Sequence, residues 1–327
     1  MSNQTLYTGA LKVVRERTTE TPNISRSPER LFKLPDEYAS AAQAWLDDRQ
    51  HTPCQPKTAA SVVFVRDGKE GLETILTLRS EHSPLGDLAF PGGLCIPSDQ
   101  DPLAWIGPDI KTWSTAFKQE DPVATQAAVV GAIRESFEET GMLLAGRDEL
   151  STVETSSEAL DLMSAREAIS QCDQSFADYL TKRGLTLRTD LLRPIARWQS
   201  PDFRHKRYDT HYFASVAPVG QHPKLLASKG LWGDWVNVRE LLEHQETTVL
   251  GDTIGHERTR GKTLQQLIVP ATLCILEDLA AVNTSVAYLA KKREVLPKKA
   301  EVVEQDGEYF LKYTLPQKPK NRQKCSL

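Results

Sequence analysis

A chain of 327 residues with a hydrophobic fraction of 39%, a charged fraction of 26% and a formal net charge of −4 has an ordinary globular composition and ample length for a core. The mild negative balance removes any electrostatic case for nucleic acid as the main partner, and no apolar run reaches the length that crosses a bilayer. The five cysteines, Cys54, Cys95, Cys172, Cys274 and Cys325, are scattered without a C-x-x-C pair, which argues against a disulfide framework or a structural zinc site and fits a reducing, cytoplasmic setting.

In chain order, residues 1–34 read as a polar, weakly ordered arm with no signal-peptide core. Pro35 opens a short amphipathic helix over residues 35–48, and a Pro-containing linker covers residues 51–57. Residues 59–65 and 74–78 are apolar, β-branched runs flanking a turn with Gly68 and Gly71, and predict paired strands. A short strand over 88–90 stops at Pro91-Gly92-Gly93. Residues 94–121 form a Pro- and Asp-rich excursion. Helical spacing then covers 122–144 and 157–183. Strands follow at 195–199, 208–216 and 232–238, then helices at 238–246 and 270–293, and a strand at 309–315 within a charged tail. The organisation predicted is an arm with a short helix (1–57), one domain (58–293) with residues 94–121 inserted, and a charged tail (294–327). Strands and helices do not alternate regularly, so the class is α+β, with a mixed sheet between helical layers.

Within the helix predicted over residues 122–144, Arg134-Glu135-Ser136-Phe137-Glu138-Glu139-Thr140-Gly141-Met142 places three carboxylates at i, i+3 and i+4 before a glycine. At about 100° of rotation per residue they share an arc of roughly 100°, and like charges so crowded destabilise an isolated helix. A solvated acidic face is the commoner use of such spacing. A hard divalent cation, Mg²⁺ or Mn²⁺, held by carboxylate oxygens would instead turn the crowding to advantage. The pair Gly92-Gly93, directly after a strand, lets the backbone approach a ligand or metal closely. Acidic groups beside such a loop suit a reaction at a phosphate.

The acidic stretch resembles the second half of the Nudix box, Arg-Glu-aliphatic-x-Glu-Glu-x-Gly-aliphatic, and Phe90-Pro91-Gly92-Gly93 resembles the strand end and glycine that open it. Ser136 departs from the aliphatic position. Gly93 precedes Arg134 by 41 residues, so about twenty-seven are inserted in the box. The first acidic position therefore falls on Asp99, counted forward, or on Gln126, counted backward. An interrupted box is similar to that of the peroxisomal coenzyme A diphosphatase type and its bacterial relatives. Leu76, Arg79-Ser80 and Gly86, then Arg207-Tyr208-Asp209-Thr210-His211-Tyr212-Phe213, Trp235 and Pro270-Ala271-Thr272-Leu273, resemble the same branch, so the likeness spans roughly residues 58–290. Where the branch commonly has a glutamate shortly before the tryptophan strand, this chain has Ser228-Lys229-Gly230.

The resemblance implies a Nudix fold, with a mixed sheet sandwiched between helices and a helical insertion, and a Mg²⁺- or Mn²⁺-dependent pyrophosphohydrolase. Glu138 and Glu139 are the implied metal ligands. Glu135 is a third ligand or the group that orients or deprotonates the attacking water. Arg134 positions a glutamate through a bidentate pair, Gly93 offers its carbonyl to the metal, and Gly141 caps the helix. Arg79 and Arg207 are candidate contacts to substrate phosphate, weighed against a strand-end salt bridge for the first and a solvated basic loop for the second. His211 reads as structural, and Trp198 and Trp235 as core. The expected partner is a small nucleoside diphosphate derivative, coenzyme A or acyl-CoA first, with an ADP-ribose or dinucleotide pyrophosphatase as the alternative. A non-catalytic nucleotide-binding module is the rival from another class. Neither nucleic acid nor a membrane is an expected partner, and the oligomeric state is open.

Overall fold

The computed structural model describes residues 29–48, 52–80, 86–153 and 159–314. Expectations for the start of the arm (1–28) and the end of the tail (315–327) lie outside these residues. The chain runs through β1 (Glu29–Lys33), α1 (Ala39–Asp47), β2 (Lys57–Gly68), β3 (Gly71–Arg79), β4 (Leu88–Ala89) and β5 (Gly92–Leu94). The excursion then supplies β6 (Trp105–Ile106) and α2 (Ile110–Phe117), followed by α3 (Pro122–Thr140), β7 (Ala145–Gly146), α4 (Ala159–Ser170), α5 (Phe176–Arg183) and β8 (Thr186–Arg188). Next come β9 (Arg193–Gln199), β10 (Tyr208–Val216), β11 (Gly230–Asn237), α6 (Val238–Glu243), α7 (Val249–Ile254), α8 (Leu264–Leu267), α9 (Pro270–Ala280) and α10 (Ser285–Ala290). Strands β12 (Pro297–Lys299), β13 (Glu301–Gln305) and β14 (Glu308–Thr314) end the described chain.

The main sheet has the order β11-β3-β2-β10-β9-β12, with β4 on β3 and β5 on β2. It is mixed: β2 and β10 are parallel, β9 and β10 antiparallel. Alternation along β2 sends Val62 and Phe64 into a core under α3, and Val63 and Val65 into a second core under α6, α9 and α10. Burial on both faces explains why this strand is a nearly unbroken apolar run rather than an alternating one. The fold is thus α+β, with the sheet between two helical layers, as the element pattern predicted.

Strands β2 and β3 pair directly only around their hairpin, from Val65↔Thr74 to Gly68↔Gly71. Towards their other ends β4 and β5 fill the gap, at Thr77↔Ala89 and Ala60↔Gly93. That wedge carries the glycine pair to the middle of the sheet, beneath the acidic end of α3.

Two predicted helices are each broken in two. The 157–183 segment turns at Cys172, whose φ is +63°, and restarts where Ser175 Oγ accepts from the Asp178 amide. The 270–293 segment restarts at Thr284, whose hydroxyl accepts from the Ala287 amide. In both cases a short hydroxyl side chain satisfies an N–H that the helix start leaves open, so spacing alone overstates helix length. The second break lets the Ser285 amide and hydroxyl bond Asp67, tying α10 to the β2–β3 hairpin.

The arm and the tail meet. β1 pairs antiparallel with β14, Glu29↔Thr314 to Lys33↔Phe310, and β14 pairs with β13. Phe32 and Tyr313 join the main core, and the Tyr313 ring lies 4.6 Å from that of Trp198. Residues 29–33 read as weakly ordered in the sequence because five residues form a strand only when a partner nearly three hundred positions away supplies the ladder. Among the described residues no helix is long and apolar enough to cross a membrane.

His211 on β10 is 1% exposed and packs edge-on against Phe117 of α2, 4.9 Å between centroids. Burial pushes its pKa down to about 4, opposing the attraction of Asp209. Between that value and the ordinary value of about 6.5 the unfolded chain binds a proton that the folded chain refuses, so stability falls as pH is lowered through this window. The thermal midpoint of the parent is expected to drop more steeply between pH 6.5 and pH 4 than that of His211→Gln. Parallel curves would show that this imidazole is not held neutral.

Candidate active site

Helix α3 starts on Asp121, whose carboxylate accepts from the Val123 amide, with Pro122 in its first turn. It ends on Gly141, at φ +77°, whose amide bonds Phe137 O at 2.8 Å. That left-handed cap is the role expected of Gly141. The last turns of the helix are buried on every side, so the glutamates do not form a solvated face. Ser136 buries its hydroxyl by bonding back to Ala132 O at 2.7 Å, which is how a polar residue is accommodated at an aliphatic position.

Arg134 organises the cluster from its centre and is 2% exposed. Its Nε and Nη2 donate to the two carboxylate oxygens of Asp99 at 2.7 and 2.9 Å. Its Nη1 donates to Glu135 Oε1 at 2.9 Å and Glu138 Oε1 at 2.7 Å, and Nη2 also reaches Leu94 O at 2.9 Å. The bidentate pair expected with a glutamate is therefore made with Asp99, and two glutamates share the remaining nitrogen. Burial disfavours the guanidinium charge, but Glu135, Asp99 and Glu138 together hold the arginine pKa above its ordinary value. The two candidates for the first acidic position separate here. Asp99 joins the cluster, whereas Gln126 donates to the carbonyls of Gln100 and Asp101 and anchors the insertion to α3. Burial raises the Asp99 carboxyl against the pull of Arg134.

Glu139 is held separately. The Thr77 hydroxyl donates to its Oε1 and the Gly92 amide to its Oε2 at 3.0 Å. Burial raises its pKa, opposed first by the charge of Arg79. Gly93 lies against Glu135 so closely that a Cβ there would fall 2.5 Å from the carboxylate carbon. A Cβ on Gly92 would strike the backbone of β2, 2.4 Å from Ala60 O. Gly92 is thus required by contact with the strand below, whereas a side chain at Gly93 would push the Glu135 carboxylate aside.

Two further cations complete the site, and neither is assigned a role by the sequence alone. Lys229 places Nζ 2.7 Å from Glu138 Oε2 and 3.7 Å from Glu135 Oε2. Arg166 of α4, 2% exposed, donates to Glu138 O, Glu139 O and Lys224 O, capping the end of α3 with a positive charge. Burial pushes the Arg166 pKa down to about 10, against the attraction of Glu138 and Glu139. A lysine just before a strand was the available signal for the first. For Arg166, one arginine in an unremarkable helical segment, there was none.

Of the remaining candidates, Arg79 stays beside the cluster, donating to Gly92 O at 2.6 Å and Phe90 O at 3.5 Å. Arg207 is directed elsewhere: it donates to Cys54 O and to Asp202 Oδ1, each at 2.6 Å, and is buried. Arg204 stacks on Tyr38 at 3.8 Å. Trp198 lies in the core, and Trp235 lies under Arg66 at 4.2 Å. Cavities of about 920 and 820 Å³ lie at the β2–β3 hairpin and between the insertion and Gln126, and no residue of the acid cluster lines either.

In kind, Glu135, Glu138 and Glu139 are the hard oxygen donors that Mg²⁺ or Mn²⁺ takes. As arranged, their oxygens point at Arg134, Lys229, Thr77 and the Gly92 amide, and among the described residues no group of three acidic, His or Cys side chains is set to hold an ion. The donor set fits a divalent ion once Lys229 yields its place.

Among solved structures the chain is similar to a Nudix hydrolase from Alicyclobacillus acidocaldarius, at 23% identity and a TM-score of 0.56, covering 73% of this chain and 98% of that one. This likeness makes the fold that of Nudix hydrolases. A MutT Nudix hydrolase from Burkholderia pseudomallei matches at 13% identity and a TM-score of 0.32, covering 68% of this chain and 98% of that one. A bifunctional NMN adenylyltransferase/ADP ribose pyrophosphatase from Francisella tularensis matches at 13% identity and 0.34, covering 75% and 46%. At those scores the last two add nothing to the fold assignment. No family model matches the chain, and no curated protein does.

Proposed function

We propose that the chain is a divalent-metal-dependent pyrophosphohydrolase that splits a diphosphate linkage in a small nucleoside diphosphate derivative. The observation that carries this reading is the convergence of Glu135, Glu138 and Glu139 at one helix end with Arg134 and the Gly92-Gly93 loop, on a Nudix fold. Glu135, Glu138 and Glu139 would hold Mg²⁺ or Mn²⁺, which when bound supplies neutralisation of phosphoryl oxygens and a more acidic water. The reaction adds water across the anhydride: its oxygen bonds to phosphorus, the bridging P–O bond breaks, and the bridging oxygen leaves with the second phosphate. Glu135 stands either as the third ion ligand or as the group that takes a proton from that water: its Oε1 accepts from Arg134, and its Oε2 meets Lys229 only at 3.7 Å, the loosest hold on any oxygen of the three glutamates. Arg134 holds Glu135 and Glu138 in register, and Thr77 with the Gly92 amide holds Glu139.

Coenzyme A or an acyl derivative is the favoured substrate, on the resemblance of the interrupted box and the strand around Arg207–Phe213 alone. ADP-ribose or a dinucleotide comes next. The non-catalytic module remains the second reading because one observation favours it: the Lys229 ammonium already sits on Glu138. A phosphate-release screen of coenzyme A, ADP-ribose, NADH and nucleoside triphosphates with Mg²⁺ and Mn²⁺ separates them. At least one diphosphate is expected to be turned over, with Glu139→Gln slower by about a hundredfold, near 2.7 kcal/mol in the barrier. Absence of turnover on every substrate would leave only the binding module, and a variant as active as the parent would overturn the carboxylate chemistry assigned to Glu139.

A further inference from the structure

The acid cluster carries its own charge balance. Asp99, Glu135, Glu138 and Glu139 are matched by Arg134, Lys229, Arg79 and Arg166, all within electrostatic reach of those carboxylates. Three of these cations are fixed: Arg134 is fully buried among its partners, Arg166 caps α3, and Arg79 donates to the glycine loop. Lys229 differs. Its side chain is 29% exposed, and it meets the carboxylates through a single ammonium on four methylenes.

The backbone that delivers this ammonium is bolted to the acidic helix. The Lys224 amide bonds Thr140 O at 2.7 Å and the Leu226 amide bonds Glu139 O at 3.1 Å. Lys229 in turn donates to Leu226 O at 2.9 Å and accepts from the Ser80 amide at 3.3 Å, and Ser80 Oγ donates to Ser228 O. The loop before β11 is therefore an extension of the α3 terminus. It sets the ammonium over Glu138 Oε2 and beside Glu135 Oε2, one oxygen from each of two proposed ion ligands.

We propose that Lys229 is a tethered cation competing with the divalent ion for Glu135 and Glu138, so that metal enters only as the ammonium swings out along its exposed side. This rests on the hydrolase reading for the identity of the ion ligands, and it concerns binding rather than turnover. A tethered group competes at a high effective concentration set by its leash. Here the leash is one side chain on an anchored loop, so an ion must displace the ammonium before it gains both oxygens.

The test is Mn²⁺ binding to the full chain without substrate, followed by the electron paramagnetic resonance of free Mn²⁺ and by calorimetry. Lys229→Met and Lys229→Gln are expected to bind Mn²⁺ about tenfold more tightly than the parent, the factor that one charge-assisted hydrogen bond is worth. Lys229→Arg keeps a cation on the loop and is expected to stay within a few fold of the parent. Equal affinities for the parent and both neutral variants would overturn the proposal, and so would absence of Mn²⁺ binding in all of them. Two neutral variants of different polarity guard against one that fails to fold, which thermal melting reports. The outcomes remain separable from the hydrolase reading. A chain that binds Mn²⁺ as described yet splits no diphosphate loses only the activity, whereas one that splits diphosphates with unchanged Mn²⁺ affinity in the variants loses only the competition.

Discussion

Arg134→Met is expected to destabilise the chain by about 3–5 kcal/mol, the usual consequence of removing one partner from a buried ionic cluster. The guanidinium binds Asp99 bidentately and shares Nη1 between Glu135 and Glu138. Asp99 and Glu138 are each 1% exposed, so without the arginine neither carboxylate can be hydrated. Methionine restores most of the apolar volume, and the loss is therefore electrostatic rather than a cavity effect. For a domain of this size the thermal midpoint should fall by about 2–4 °C per kcal/mol. Equilibrium unfolding of parent and variant in guanidinium chloride measures the difference. A loss below about 1 kcal/mol, the range of exposed ion pairs, would mean that the cluster is hydrated in solution. Arg134→Lys separates charge from geometry: an ammonium keeps the charge but cannot make the bidentate contact with Asp99. It is expected to recover part of the stability and little of any turnover, because Glu135 and Glu138 lose their common anchor.

The second large effect is expected at Arg166, which touches none of the carboxylate groups. Its guanidinium donates to the carbonyls of Glu138, Glu139 and Lys224. The first two are among the carbonyls that a helix end leaves without internal partners. Glutamates in the last turn of a helix oppose its macrodipole, and a buried cation at that end offsets both charges. Arg166→Met removes the donor from Glu138 O and Lys224 O, each worth about 1–3 kcal/mol when left unsatisfied, while Glu139 O keeps the Leu226 amide. The burial penalty that pushes the Arg166 pKa down to about 10 is returned in part, so the net loss should be near 3 kcal/mol. Because the same contacts bind the loop at Lys224 to α3, the position of Lys229 should loosen too. Amide hydrogen exchange checks this directly. In Arg166→Met, residues 224–230 and the end of α3 are expected to lose protection together, and unchanged protection there would show that the cap is dispensable. The Gly141 position reinforces the point, since a Cβ there would fall 3.0 Å from Arg166 Nη1.

Much of the fold was legible because its signals are local. The apolar run of β2, the two glycines of its hairpin and the Pro91-Gly92-Gly93 stop each act within a few residues. The strands β9, β10 and β11 were read within two residues of their ends for the same reason. The short strands β1, β5, β12 and β13 were not read. Each is at most five residues long; β1, β5 and β12 exist only through a distant partner, β14, β2 and β9 in turn, and β13 only through its hairpin with β14. Long helical spacing was misleading where a hydroxyl residue could restart the helix, at Ser175 and Thr284. In the site, Glu135, Glu138 and Glu139 were legible from spacing on one helix, and Gly93 from its place after a strand. The partner of Arg134 was not, since chain counting across the insertion offered Asp99 and Gln126 equally. The basic character of Arg207 was legible, but its engagement with Asp202 and Cys54 O was not, because both contacts form only in the packed chain.

By itself, then, the sequence determined that three carboxylates and an arginine would share one face of a helix ending at a glycine, because helical periodicity and a left-handed cap are local properties. It also implied that so much like charge requires cations. Only the tertiary structure decided which cations answer it. Asp99 reaches Arg134 from 35 positions earlier in the chain, Arg166 arrives from the next helix, and Lys229 arrives from the loop before β11. Charge pairing acts through space and is strengthened where the fold excludes water, so the neutralisation of a buried cluster belongs to the packed molecule rather than to any stretch of its chain.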